Sequence, residues 1–273
     1  MSDRRAAGVR ASQWMRRAAL GAGLLAGSWY ALASPQVQRV DVGIGDVLRR
    51  WRTPGLDKAV RSTTDLGSAY AVVGIASGLA LTGRQPAATD VLGAGFLAWN
   101  LAQANKKFVR RVRPYEADGV HRLIRPPAGS SFPSGHAAVG VAVMSVLAER
   151  SRNGTGKRLL QALAAYVPLS RIYVGVHYPT DVLGGAGLGL ALGSLWRGPI
   201  AMTNRAAVAL GWRLMAPAMR AIAQGALGPG QRVRLAAAPG PLPDATPRAA
   251  TPRAAAISAP STPASSRAFA RSR

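Results

Sequence analysis

Three short polar clusters interrupt an otherwise apolar chain, and their residue types suit the handling of a phosphoryl group. Lys106 and Arg113 stand seven apart, with Pro114 next. Pro133, Ser134, Gly135 and His136 follow as one unbroken run. Ser170 and Arg171 are adjacent; five residues later comes His177, and three more lead to Asp181. Phosphoryl transfer is catalysed mainly by positioning and by neutralising charge on the phosphoryl oxygens. Lys106, Arg113 and Arg171 would supply three cations, and arginine suits a bidentate grip on phosphate. Ser134 reads as an N-cap with Gly135 and His136 in the first helical turn. Free backbone N–H groups there form an anion site, and Gly135 lets the backbone come close. Pro179 suits the first position of another helix, which puts Tyr178 at its cap, His177 just before it and Asp181 at the third position. From there Asp181 would accept a hydrogen bond from one nitrogen of His177 and leave the other as a nucleophile. An ordinary histidine pKa near 6.5 suits proton transfer and nucleophilic attack alike. No metal and no cofactor is implied.

These clusters need elements to hold them, and each borders an apolar segment. Uncharged or nearly uncharged stretches run over residues 18–38, 66–83, 86–105, 134–147, 159–169 and 182–196. A bilayer-crossing helix needs about 20 apolar residues. The reading is an all-α, multi-pass membrane bundle of about six transmembrane helices, with the three clusters gathered at one end. The short later segments are rich in Ala and Gly, which permit close helix approach. Residues 39–65 are mixed and charged, and predict a loop with short interfacial helices. The first stretch has a rival reading as a cleaved signal peptide, with Ala31-Leu32-Ala33 as its processing site.

The 273 residues carry 35 Lys plus Arg against 11 Asp plus Glu, a formal charge of +24, and no cysteine. The missing thiols exclude a disulfide scaffold, a cysteine nucleophile and cysteine metal sites. The charge does not indicate a nucleic-acid partner: the cations flank apolar segments instead of lining one recognition element, and aromatics are only 6%. The domain reading is a basic arm over 1–17, a membrane domain over 18–199, a basic amphipathic surface helix over 200–226, and a disordered Ala/Pro/Arg-rich tail over 227–273. An anionic lipid surface is a candidate partner for the tail. Five arginines before the first segment favour an inside N-terminus. Six spans then put all three clusters on the opposite face.

Together the clusters resemble the type 2 phosphatidic acid phosphatase superfamily, which includes bacterial acid phosphatases and vanadium haloperoxidases. Its pattern is Lys-x6-Arg-Pro, then Pro-Ser-Gly-His, then Ser-Arg-x5-His-x3-Asp, and all eleven identities occur here in order. The likeness covers about residues 60–200. It implies an integral membrane phosphatase acting on a lipid phosphate or diphosphate, phosphatidate-like or polyprenyl-diphosphate-like, with the active site extracytoplasmic. It implies that His177 attacks phosphorus to give a phosphohistidine, and that His136 protonates the leaving oxygen and then activates water. Asp181 would complete the catalytic set. Lys106, Arg113, Ser134, Gly135 and Arg171 would bind phosphate. The alternatives are a vanadium-dependent haloperoxidase, a soluble periplasmic acid phosphatase, and a catalytically silent lipid-binding membrane protein.

Overall fold

The computed structural model describes the backbone of residues 2–196 and side chains from residue 12 onward. The surface helix expected over 200–226 and the tail over 227–273 lie outside the described residues. Among those described, every regular element is helical. The order is α1 (Ser2–Ala31), α2 (Pro35–Arg49), α3 (Pro54–Thr63), a 3-10 turn (Thr64–Gly67), α4 (Ala69–Leu81), α5 (Gln85–Phe108), α6 (Pro114–Ala117), α7 (Gly135–Arg150), α8 (Gly154–Tyr173) and α9 (Pro179–Leu195).

Local chemistry explains the boundaries. The stretch 18–38 is not one helix. It stops at Ala31, and Ser34 caps a new helix by accepting the Val37 N–H, with Pro35 at its first position. Thr53 and Pro54 start α3 in the same way. Residues 39–65, expected as loop with short helices, therefore contain α3 and much of α2. The fifth apolar stretch is the middle of a longer helix, α8. No single described helix is both long and apolar enough to cross a membrane; α3 with its 3-10 turn and α4 pass together, but bend by 73° between them. α7 and α9 have 16 and 17 residues, about 24 and 26 Å at 1.5 Å per residue.

α7 is the centre of the bundle, flanked by α5, α8 and α9, while α1 packs on the other side of α9. The core is built from small and β-branched side chains: Val91, Ala98 and Ala102 on α5, Ala138, Val139, Ala142 and Val143 on α7, and Leu188 and Leu192 on α9. Residues four apart share a helix face, and Gly185, Gly189 and Gly193 make such a row on α9. A Cβ added at each would lie 2.3, 2.3 and 3.1 Å from the carbonyl oxygens of Ser134, Ala138 and Ala142. The two helices thus meet backbone to backbone, which glycine alone permits. Since Ser134 caps α7 and Gly185 lies in the second turn of α9, this contact holds the two helix N-termini side by side.

Candidate active site

The turn between α8 and α9 carries His177, and the first turn of α9 carries Asp181. Both are almost fully buried. Asp181 is the third helical residue, and its Oδ2 accepts the Tyr178 N–H at 2.9 Å. The same oxygen accepts the Ser131 hydroxyl at 2.5 Å and lies 3.7 Å from His177 Nδ1. Its other oxygen takes Arg111 Nη1 at 2.7 Å. Ser131 Oγ also stands 3.4 Å from His177 Nδ1. On the far side of the ring, Arg113 Nη1 is 3.3 Å from His177 Nε2.

That last contact assigns the tautomer. A guanidinium only donates, so Nε2 presents its lone pair and Nδ1 carries the proton, facing Ser131 and Asp181. Burial, opposed by the Asp181 hydrogen bond and reinforced by Arg113, pushes the His177 pKa down to about 3. The ring is therefore neutral at any ordinary pH.

Arg113 is 1% exposed, and all five of its N–H donors are engaged. Nε donates to Gly129 O, Nη1 to Val176 O and His177 Nε2, and Nη2 to Ala128 O and Ser130 O. Four donors therefore hold the loops, and burial lowers the guanidinium pKa. Four of the five donors are thus spent on backbone carbonyls. The donor on His177 Nε2 is the one that comes free when that lone pair bonds to another atom.

The second cationic group is arranged differently. Arg171 Nη1 donates to Thr64 Oγ1 at 2.8 Å, and its Nε is buried without a partner. Ser170 Oγ donates to Val167 O, so Thr64 donates to Ser170 while accepting from Arg171. This chain gives the Ser-Arg pair a physical reason. His136, in the first turn of α7, stands edge-on to Trp99 with ring centroids 6.2 Å apart. Its Nε2 is 3.3 Å from Asp65 Oδ1, the same oxygen that lies 3.6 Å from Arg171 Nη1. Lys106, just past the apolar stretch of α5, is half-buried. Burial first, then repulsion from Arg113 and Arg171 against attraction to Asp181, lowers its pKa to about 8.

Ser134 is buried and caps α7 through Ala137 N, while its own N–H donates to Asp181 O at 3.0 Å. A Cβ on Gly135 would meet the Trp99 ring at 3.2 Å; the crowding there is with an indole. Lys106, Arg113, Ser134, Gly135, His136, Arg171, His177 and Asp181 therefore all lie at the end of the bundle where α5 finishes and α7 and α9 begin. His121 is exposed in the loop before α7, where its carbonyl accepts from Arg52.

Comparison with known proteins identifies the family. The model of the PAP2 superfamily matches residues 85–200. The decaprenylphosphoryl-5-phosphoribose phosphatase of Mycolicibacterium smegmatis is 33% identical over 135 residues, covering 48% of this chain and 72% of that protein. The chain belongs to the PAP2 superfamily. The protein of the same name from Mycobacterium tuberculosis is 38% identical over 106 residues, 38% of this PAP2 chain and 57% of the relative's length. An undecaprenyl-diphosphatase of Bacillus subtilis is 38% identical over 85 residues, 31% of this chain and 42% of the relative. The transmembrane PAP2-type phosphatidylglycerolphosphate phosphatase of Bacillus subtilis superposes with a TM-score of 0.55 at 27% identity, over 66% of this chain and 94% of that one.

Several residues at this PAP2 site lie outside the three motifs. Arg111 joins Asp181 to Asp41, whose Oδ2 it meets at 2.6 Å. Burial works against the Arg111 guanidinium, but the two carboxylates outweigh it and raise its pKa. Asp41 is itself buried on α2 and accepts from Thr180 N and Oγ1 at 2.9 and 2.7 Å. Arg111 also lies over the Tyr178 ring, 4.2 Å from its centroid, and Tyr178 donates to Asp118. Ser131, Thr64 and Asp65 complete the set. One signal in the sequence points to the acids: with only 11 among 35 cations, any acid in an apolar stretch invites a search for its partner.

Proposed function

We propose that this protein is an integral membrane phosphatase that hydrolyses a lipid phosphate through a covalent phosphohistidine, without a metal. The observation that carries this reading is the His177 ring: its nucleophilic nitrogen faces Arg113, and its protonated nitrogen faces Ser131 and Asp181. A substrate phosphoryl group takes its place among Lys106, Arg113, Arg171 and the α7 N-terminus. His177 Nε2 attacks phosphorus; the N–P bond forms as the P–O bond to the lipid breaks. The Arg113 donor released from Nε2 passes to a phosphoryl oxygen. His136 enters the step as the imidazolium, with its Nε2–H held by the Asp65 carboxylate; it gives that proton to the departing oxygen and becomes neutral. Water then attacks phosphorus, His136 takes its proton, and the N–P bond breaks to release phosphate. Asp181 does not touch the substrate. It is a positioning residue that acts through His177.

Side chains on the outside of the bundle support a membrane setting. Trp29, Tyr30, Trp51, Tyr70 and Phe108 are all exposed large apolar residues at the end that holds the site. Such a ring of aromatics suits a membrane–water interface. Further along the helices, Leu20, Val73, Leu92, Phe96, Leu159 and Leu169 are also exposed, an arrangement suited to lipid. The close contact of Gly21 with Gly187 and Ala191 favours retention of the first apolar segment as part of the bundle. About six spans, an inside N-terminus and an extracytoplasmic site are the topology we favour.

The test is phosphate release by detergent-purified protein from phosphatidate, phosphatidylglycerol phosphate and a polyprenyl diphosphate, with and without EDTA. Phosphate release from at least one substrate, insensitive to EDTA, is expected, together with an alkali-stable, acid-labile phosphoryl label; both should be absent in His177→Ala. Activity abolished by EDTA and restored by Mg²⁺ would overturn the metal-free scheme.

A further inference from the structure

Asp65 is the anomaly of this site. A carboxylate is a poor neighbour for a phosphoryl group, yet one of its oxygens touches both His136 Nε2 and Arg171 Nη1, at 3.3 and 3.6 Å. The residue lies in the 3-10 turn before α4, and its side chain is 70% exposed, while Arg171 is 1% exposed. It therefore stands at the outer edge of the cluster, with the phosphoryl-binding cations beneath it. The turn is fixed there: a Cβ on Gly67 would lie 2.3 Å from the His136 carbonyl oxygen, and Thr64 is locked to Ser170 and Arg171. The hydrogen bond from His136 holds the Asp65 carboxyl below its usual pKa, aided by the charges of His136 and Arg171 against partial burial. It is a carboxylate at neutral pH.

We propose that Asp65 is a specificity residue that makes the site favour phosphate monoesters over diphosphates. The inference rests on the phosphatase reading, in which His136 faces the leaving oxygen. The group that leaves from a monoester is a neutral alcohol or sugar, which a neighbouring carboxylate tolerates and to whose hydroxyls it can accept hydrogen bonds. The group that leaves from a diphosphate is a second phosphate. It would arrive at His136, beside Asp65, carrying one or two negative charges that the carboxylate repels. Lys106, Arg113 and Arg171 serve the phosphoryl group under attack, and with Arg113 held on the inner loops and Arg171 on Thr64 they are not free to follow a second phosphate.

The experiment compares wild type with Asp65→Asn, which keeps the shape and removes the charge. Asp46→Asn, at an exposed acid that pairs with Arg49 on α2, serves as the control for net charge. Calorimetry measures binding of inorganic phosphate and of pyrophosphate, and turnover is measured on farnesyl phosphate and farnesyl diphosphate, which share one tail. Wild type and Asp46→Asn should favour phosphate and the monoester. Asp65→Asn should narrow both ratios by about three- to tenfold, the modest size expected of a charge so exposed, mainly by improving the diphosphate. Unchanged ratios would overturn the proposal, as would undetectable binding of both anions. A fall in monoester kcat with the ratios intact would overturn it too, and would make Asp65 a support for His136. Absence of turnover in wild type would instead count against the phosphatase reading, while the calorimetric ratio would still decide the role of Asp65.

Discussion

Asp181→Asn tests the role of the buried carboxylate most directly. The carboxylate accepts from Arg111, Ser131 and the Tyr178 N–H, and lies 3.7 Å from His177 Nδ1. An asparagine of the same shape has one acceptor oxygen. Turned toward Ser131 and Tyr178 it keeps those two bonds and sets its NH₂ against Arg111, which still has Asp41. The loss is one charge-assisted hydrogen bond, about 1.5–3 kcal/mol, so the variant should fold with a lowered melting temperature. Chemistry should suffer more. As Nε2 bonds to phosphorus the imidazole becomes cationic, and a full charge 3.7 Å away is worth about 4.5 kcal/mol at an effective dielectric near 20. Arg111 already neutralises part of that carboxylate, so about 3–4 kcal/mol is a fair share. At 1.36 kcal/mol per decade, phosphoenzyme formation should slow by roughly 10²- to 10³-fold.

KM should hardly move, because Asp181 is behind the ring and out of reach of the substrate. Arg113 still pins the lone pair of Nε2, so the tautomer should survive. Rapid alkaline quench with labelled substrate, which preserves an N–P bond, measures the phosphorylation step, and thermal melting in detergent shows whether the variant is folded. A folded variant that labels within tenfold of the wild-type rate would refute the electrostatic reasoning. So would a defect confined to KM.

Other outcomes follow from the same geometry. His136→Ala should lose roughly 10²- to 10⁴-fold on a lipid phosphate and far less on an aryl phosphate with a good leaving group; equal losses in the two assays would remove His136 from the proton-transfer step. On an aryl phosphate, whose leaving group does not need the His136 proton, kcat/KM should fall above about pH 8 as the Lys106 ammonium, whose pKa is lowered to about 8, loses its charge. Lys106→Arg should carry that limb beyond pH 9, and a limb left in place would assign it to another group. No acid limb from His177 is expected above about pH 4, since its ring, with a pKa near 3, is already neutral.

The motif residues are legible because chemistry dictates both their identity and their spacing. The helix starts at Ser134 and Pro179 were readable for the same local reason, while Thr53-Pro54, which carries the same signal, lay in a stretch read as loop. Pro179 placed Asp181 where it can reach the Tyr178 N–H. The end of α1 was missed, although Ser34-Pro35 is a start signal, because an uncharged run from 18 to 38 reads by hydropathy as one span. That most of the Arg113 donors are spent on the loops was illegible for a different reason. Their acceptors are backbone carbonyls at 128, 129, 130 and 176, and no residue type marks a carbonyl that folding will leave unpaired.

What stayed hidden is the layer behind the motifs, and its partners are far apart in the chain. Asp41 and Thr180 are separated by 139 positions, Thr64 and Arg171 by 107, Arg111 and Asp181 by 70. Arg111 sits in a run with Lys106, Lys107, Arg110 and Arg113, where local sequence cannot tell a buried ion pair from a solvated cation. Yet removing one partner of such a buried pair is far costlier than losing an exposed charge. The consequence for catalysis is specific. The orientation of His177 depends on Asp181, Asp181 is held by Arg111, and Arg111 is balanced by Asp41 on α2, a helix that contributes nothing to the three motifs. The proposed nucleophile is thus tied to the N-terminal third of the chain, and a motif confined to 106–181 leaves out the layer that holds it.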